Sequence, residues 1–80
     1  MPRYFFSVKR AGLIIPDREG DELPDLQAAR ELARATVDDM RRLPHVYGEM
    51  REWQKDEFVI TDEAGATVLT IAFAAPPESD

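Results

Sequence analysis

The 80-residue sequence has no cysteine, which excludes disulfide staples, thiol nucleophiles, iron–sulfur clusters and zinc-finger sites. It also has no apolar run approaching the roughly 20 residues a helix needs to cross a bilayer, so no membrane partner is expected. The N-terminal residues lack the basic-then-apolar layout of a secretory leader, and the expected location is the cytoplasm. Basic side chains are scarce. Lys9 and Lys55 are the only lysines, and 10 basic residues face 16 acidic ones for a net charge of −6. That is the wrong sign for a surface that neutralises phosphates, so nucleic acid is not an expected partner. Histidine occurs once, at His45.

What remains is ordinary globular material, with 44% hydrophobic and 32% charged residues. The length allows a single domain over residues 1–80, read as a folded core at 2–73 and a flexible tail at 74–80. Arg3 to Arg10 is aromatic and β-branched with period-two alternation, which predicts a strand. Ala11-Gly12 makes a turn, and Leu13-Ile14-Ile15 reads as a short return strand stopped by Pro16. An acidic loop follows from Pro16 to Asp25. Asp25 then stands where a carboxylate caps free helical N–H groups.

At about 100° per residue, Leu26, Ala29, Leu32, Ala33, Thr36, Val37, Met40 and Leu43 fall on one side. The pattern predicts one amphipathic helix from Leu26 to Leu43, ended by Pro44. Asp38 and Arg42 have the acid-first i,i+4 spacing of a helical ion pair worth about 0.3 kcal/mol. Pro44 to Asp56 is long for a plain loop, and Val46, Met50 and Trp53 could face inward from one or two helical turns, although Gly48 weakens that reading. Glu57 to Thr61 and Ala66 to Phe73 read as strands joined by a turn at Asp62-Glu63-Ala64-Gly65.

The order β-β-α-β-β predicts an α+β fold, a two-layer sandwich with a four-stranded, mostly antiparallel sheet and one long helix on one face. The first and last strands are the most apolar and are expected side by side in the middle, running parallel. Tyr4, Phe6, Val8, Phe58, Ile60, Leu69, Ile71 and Phe73 then face the helix. Phe5, Ser7, Val59, Val68, Thr70 and Ala72 fall on the opposite face, which is more apolar than a plain solvent face.

The opening MPRYFFSV, the stretch LIIPDREGDELPDLQAARELA and the closing VITDEAGATVLTIAF resemble a family of small bacterial proteins of unknown function. Its members begin MPRYFFHV, carry LPD before an Ala-rich helix and finish with a TDEAG hairpin. The resemblance covers about two-thirds of the chain and implies a fold but no activity. Ser7 stands where the family usually has His, which argues against imidazole chemistry there, and Leu43 to Lys55 is longer than the usual connection.

No combination of residues makes a convincing reactive centre. Ser7, His45 and an unspecified acid have no spacing that unites them, so no catalytic residues and no enzymatic activity are expected. Asp17-x-Glu19-x-Asp21 fails the calcium-loop pattern, because Gly20 is fourth rather than sixth and Ala28 takes the twelfth place. Neither metal nor other cofactor is expected, and the loop reads more simply as a solvated turn. Arg30, Arg34, Arg41 and Arg42 share a helix face but are interrupted by Glu31 and Asp38. A two-layer sandwich of this size offers little volume for a small-molecule pocket.

The candidate interface residues are therefore Phe5, Val59, Val68, Thr70 and Ala72 on the open sheet face, with Tyr47 and Trp53 in the connection. Tyr47, Met50 and Trp53 also admit a plainer reading as plugs beneath the helix. The expected function is a non-enzymatic protein-interaction or regulatory module whose partner is protein, chiefly a second copy in a homodimer. The alternatives are an acidic, antitoxin-like inhibitor of a basic partner and a weak cation- or small-ligand-binding module.

Overall fold

The computed structural model describes residues 1–74, so the expected tail beyond Ala74 lies outside the described residues. Strands β1 (Arg3–Arg10), β2 (Leu13–Ile15) and β3 (Asp21–Glu22) precede helix α1 (Leu26–Arg42). Two short helices, α2 (Pro44–Tyr47) and α3 (Met50–Trp53), lead into β4 (Glu57–Thr61) and β5 (Thr67–Ala72). The architecture is the expected α+β sandwich, an open sheet with one main helix, extended by the two-residue β3. The sheet order is β2-β1-β4-β5, with β3 also paired to β1.

One feature of the topology departs from expectation. The last strand is an edge, and every pairing is antiparallel. β5 does run in the direction of β1, but β4 lies between them. β4 holds the central place because both its faces are at least half covered, with Phe58 and Ile60 buried on one side and Val59 half-buried on the other. β5 has the longer apolar run, yet Thr67, Thr70 and Ala72 are exposed, as an edge strand tolerates.

Helix α1 begins where the carboxylate at Asp25 predicts, with Ala28 N donating to Asp25 Oδ1 at 2.9 Å. Arg41 and Arg42 occupy its last turn, where cations suit the dipole, and Leu43 caps it. Arg42 pairs with Asp39 one turn back, not with Asp38 as the i,i+4 spacing suggested. The buried line of the helix is Ala29, Ala33 and Val37. Alanine carries only a methyl group, so the helix contributes little bulk to the layer and allows a close approach to the sheet. Leu26 and Leu32 stay 37% exposed at its margins.

Beneath that line, alternate residues of β1 and β4 turn Tyr4, Phe6, Phe58 and Ile60 towards the helix, joined by Leu69 and Ile71 of β5 and by Phe73. Four aromatic rings form a continuous edge-to-face file. Phe6 meets Phe58 at 6.1 Å, Phe58 meets Phe73 at 4.6 Å, and Phe73 meets Trp53 at 5.9 Å. Trp53 is only 2% exposed, and its indole N–H donates to Gly48 O at 3.2 Å. The connection is thus two helical turns whose single tryptophan closes one end of the core. Gly48 separates the two turns at φ 88°, a backbone conformation suited to glycine.

Removing the ring that ends this file should cost far more than trimming a leucine that the helical period places inside. Trp53→Ala is expected to lose about 3–5 kcal/mol in denaturant unfolding and Leu32→Ala less than about 1.5 kcal/mol. Equal losses would mean that the core is not centred on the aromatic file.

Candidate interaction surface on the open sheet face

Because side chains alternate along a strand, the residues between the core positions point away from the helix. On β1 these are Arg3, Phe5, Ser7 and Lys9, and on β4 they are Glu57, Val59 and Thr61. The register sets Val59 beside Ser7 and Thr70, Glu57 beside Lys9 and Ala72, and Phe5 beside Thr61. Ile14 of β2 pairs with Lys9 and adds a 52% exposed aliphatic side chain to the same face. The centre of the face is therefore apolar or hydroxylated.

Among the strand residues of this face, charge occurs only at the two ends, and there it cancels. Arg3 pairs with Glu22 of β3 at 3.2 Å, and Lys9 with Glu57 at 4.0 Å. Such exposed pairs add little stability. Their effect is that the strand residues of this face carry no net formal charge in a chain of −6.

The outer edge of β1 is finished by the acidic loop. Between β2 and β3 no strand covers β1, and the Phe6 N–H would be left without a ladder partner. Asp17 supplies one: its Oδ2 accepts from Phe6 N at 2.9 Å, while Oδ1 accepts from Gly20 N at 3.1 Å and Glu19 N at 3.2 Å. The Ser7 hydroxyl oxygen in turn accepts the Asp17 N–H at 3.2 Å. Partial burial pushes the Asp17 carboxyl up, but the three backbone donors from Phe6, Gly20 and Glu19 together outweigh it and hold the group below its ordinary value. Gly20 completes the fit, since at φ +69° a Cβ there would lie 2.8 Å from Tyr4 O and 2.9 Å from both the Arg3 and Phe5 side chains. The loop is a structural clamp.

A second carboxylate is engaged at the opposite end of β1. Asp56 is buried, and Arg10 reaches it with Nε at 2.7 Å and Nη2 at 2.6 Å from the same oxygen. The hydrogen bond to Asp56, and then its charge, raise the Arg10 pKa further. His45 is exposed on α2 and shares no hydrogen bond with Ser7 among the described residues.

The candidate interface residues are thus divided by the structure. Phe5, Val59, Thr70 and Ala72 share the open face. Val68 leaves it: Thr61 pairs with Thr67 and Ile60 with Leu69, so Val68 is the extra residue of a β-bulge and packs against the core instead. Trp53 is buried in the aromatic file and offers no accessible anchor, whereas Tyr47 is exposed on α2 and is not a residue of the sheet. Ile14 was not singled out by sequence reasoning, and Asp17 was weighed only within an acidic loop that fails the calcium pattern and reads as a solvated turn. For Asp17 the usable signal was Asp-Arg-Glu-Gly, the layout of a carboxylate that turns back on the next N–H groups.

Residues 3–74, from the start of β1 to just past Phe73, match the family described as Domain of unknown function (DUF6894). The chain belongs to the DUF6894 family. No curated protein and no solved structure matches it. The matched span of this DUF6894 chain includes the whole sheet, the clamp loop and all three helices, so both faces described above belong to the family's domain. Among the described residues no helix is long and apolar enough to cross a membrane.

The clamp makes a pH-dependent prediction. A carboxyl whose folded pKa is depressed stabilises the fold above its unfolded pKa of about 3.9 and loses that contribution as pH falls through the folded value. Asp17→Ala should therefore be less stable than the parent by about 1–2 kcal/mol at pH 7. In paired thermal melts that gap should narrow below about pH 4. A gap that is constant with pH would show that the charge of Asp17 plays no part.

Proposed function

We propose that this protein is a non-enzymatic interaction module of the cytoplasm that self-associates through its open sheet face. The observation that carries this reading is the charge-neutral face itself, with Phe5, Val59 and Ile14 around a hydroxyl-rich centre and an ion pair at each end. Two copies of an acidic chain repel through most of their surfaces. They do not repel through this one. A two-fold arrangement can also set the cationic member of an ion pair on one copy near the anionic member on the other.

The engagement of its carboxylates supports the same reading. Asp17 is committed to backbone donors and Asp56 to Arg10, so both serve structural contacts in this reading. The face measures about 19 Å across four strands and about 17 Å along β4, on the order of 300–400 Å² per copy. That is roughly half of a standard interface, so the dimer belongs to the weak, concentration-dependent class.

Light scattering coupled to size exclusion, run from about 10 µM to about 500 µM protein, should show mass rising from monomer towards dimer. Val59→Asp should hold the chain at monomer mass throughout, with a melting temperature within a few degrees of the parent. A parent that remains monomeric across the series, or a Val59→Asp variant that still dimerises, would overturn the proposal.

A further inference from the structure

The outer edge of β5 lacks the protection that the chain gives its other edges. β2 is three residues long and ends at Pro16, and Asp17 closes β1 between β2 and β3. β5 is six residues long with neither charge nor proline, and no strand covers its outer side among the described residues. An edge of this kind is a template for a further strand. The register shows which groups it offers. Phe73 N donates to Asp56 O at 3.0 Å, so the alternation of an antiparallel ladder turns the N–H and C=O groups of Leu69 and Ile71 inward to β4. Those of Thr70 and Ala72 point outward.

Helix α1 sets a cationic flank above this edge. Leu26 and Val68 line one hollow, and Arg41 Nη2 donates to Phe73 O at 3.1 Å just past the other end of β5, so α1 runs along β5 in the same direction. Phe6, with its ring towards the helix, points its N–H at Asp17 on the β2 side. For L-residues that sense fixes the layout of the sheet seen from the helix, and the right-handed turn of α1 carries Arg30, Arg34 and Arg41 to the side beyond β5. All three are half-buried, whereas Glu31, Asp38 and Arg42 are exposed and face away from the sheet. The acids that interrupt the arginines in sequence therefore leave this flank cationic. Arg30 and Arg34 stand about 6 Å apart along the helix axis. Alternate residues of a strand are about 6.8 Å apart, so an added strand sets alternate carboxylates beneath the two guanidinium groups. Over most of the surface the net charge of −6 repels such a segment.

We propose that the outer edge of β5 binds an extended acidic segment of a partner protein, which adds a strand beneath Arg30, Arg34 and Arg41. The site uses the β5 backbone and a helix flank rather than the side chains of the open face, so it stands or falls separately from self-association through that face.

The test titrates the ¹⁵N-labelled protein with a capped octapeptide of alternating threonine and glutamate. The expected result is saturable amide shifts centred on Thr70 and Ala72, with hydrogen exchange at those two amides slowed about tenfold. Arg30→Gln combined with Arg34→Gln should weaken binding about tenfold, and Arg30→Glu alone, which leaves Arg34 in place, several-fold. Arg42→Gln with Arg51→Gln, an equal charge change elsewhere, should leave it unaltered. The fully N-methylated octapeptide keeps the charge but has no N–H to pair, and it should not bind. Failure to saturate, binding that leaves exchange at Thr70 and Ala72 unchanged, equal weakening by the two arginine pairs, or undiminished binding of the N-methylated peptide would each overturn the proposal.

Discussion

The structure depends on how closely one helix can approach one face of the sheet. Ala29 and Ala33 are fully buried, so the layer beneath α1 is filled from the sheet side by Tyr4, Phe58, Ile60 and Phe73. An alanine seam leaves room for rings that lie edge to face, and the file from Phe6 to Trp53 uses that room. It also limits the helix's reach. Leu13 and Ile15, on the helix side of β2, remain exposed, and the opposite face of the sheet has no cover among the described residues. A single long helix in a chain of this size therefore secures one core and leaves the other sheet face open.

The edges are finished economically. β2 exposes three aliphatic residues but is only three residues long, which limits unwanted strand pairing. Where β1 would otherwise lack a neighbour, the Asp17 carboxylate takes the place of a strand. Most of the acidic residues in the loop from Asp17 to Asp25 read as solvated charge, yet the first is a hydrogen-bond acceptor for the sheet and the last caps α1. Charge that looks uniform along the sequence has at least two distinct roles: closing an edge and capping a helix.

Much of this fold was legible before any coordinates. The 3.6-residue period located α1 to within one residue, Asp25 announced its cap, and period-two alternation assigned Tyr4, Phe58 and Ile60 to the core. The strand order was not legible, because apolar content favours β5 for the centre and only pairing reveals that Thr70 and Ala72 lie exposed on an edge. Val68 was misplaced for a similar reason: a bulge is a relation between two strands, and neither strand's sequence records it. Arg10 and Asp56 are 46 residues apart and could not be matched by spacing. Phe5, Val59, Thr70 and Ala72 were found by simple alternation, whereas the neutrality of their face depends on cross-strand ion pairs that only the register reveals.

The most direct discrimination uses the neighbouring residues Val59 and Ile60, which point to opposite sides of the same strand. Methyl resonances followed across a protein concentration series report each side separately. Association through the open face predicts concentration-dependent shifts at Val59 and Ile14, with Ile60 and Ile71 unmoved. Shifts confined to Leu26 and Val68, or methyl positions independent of concentration, would contradict it.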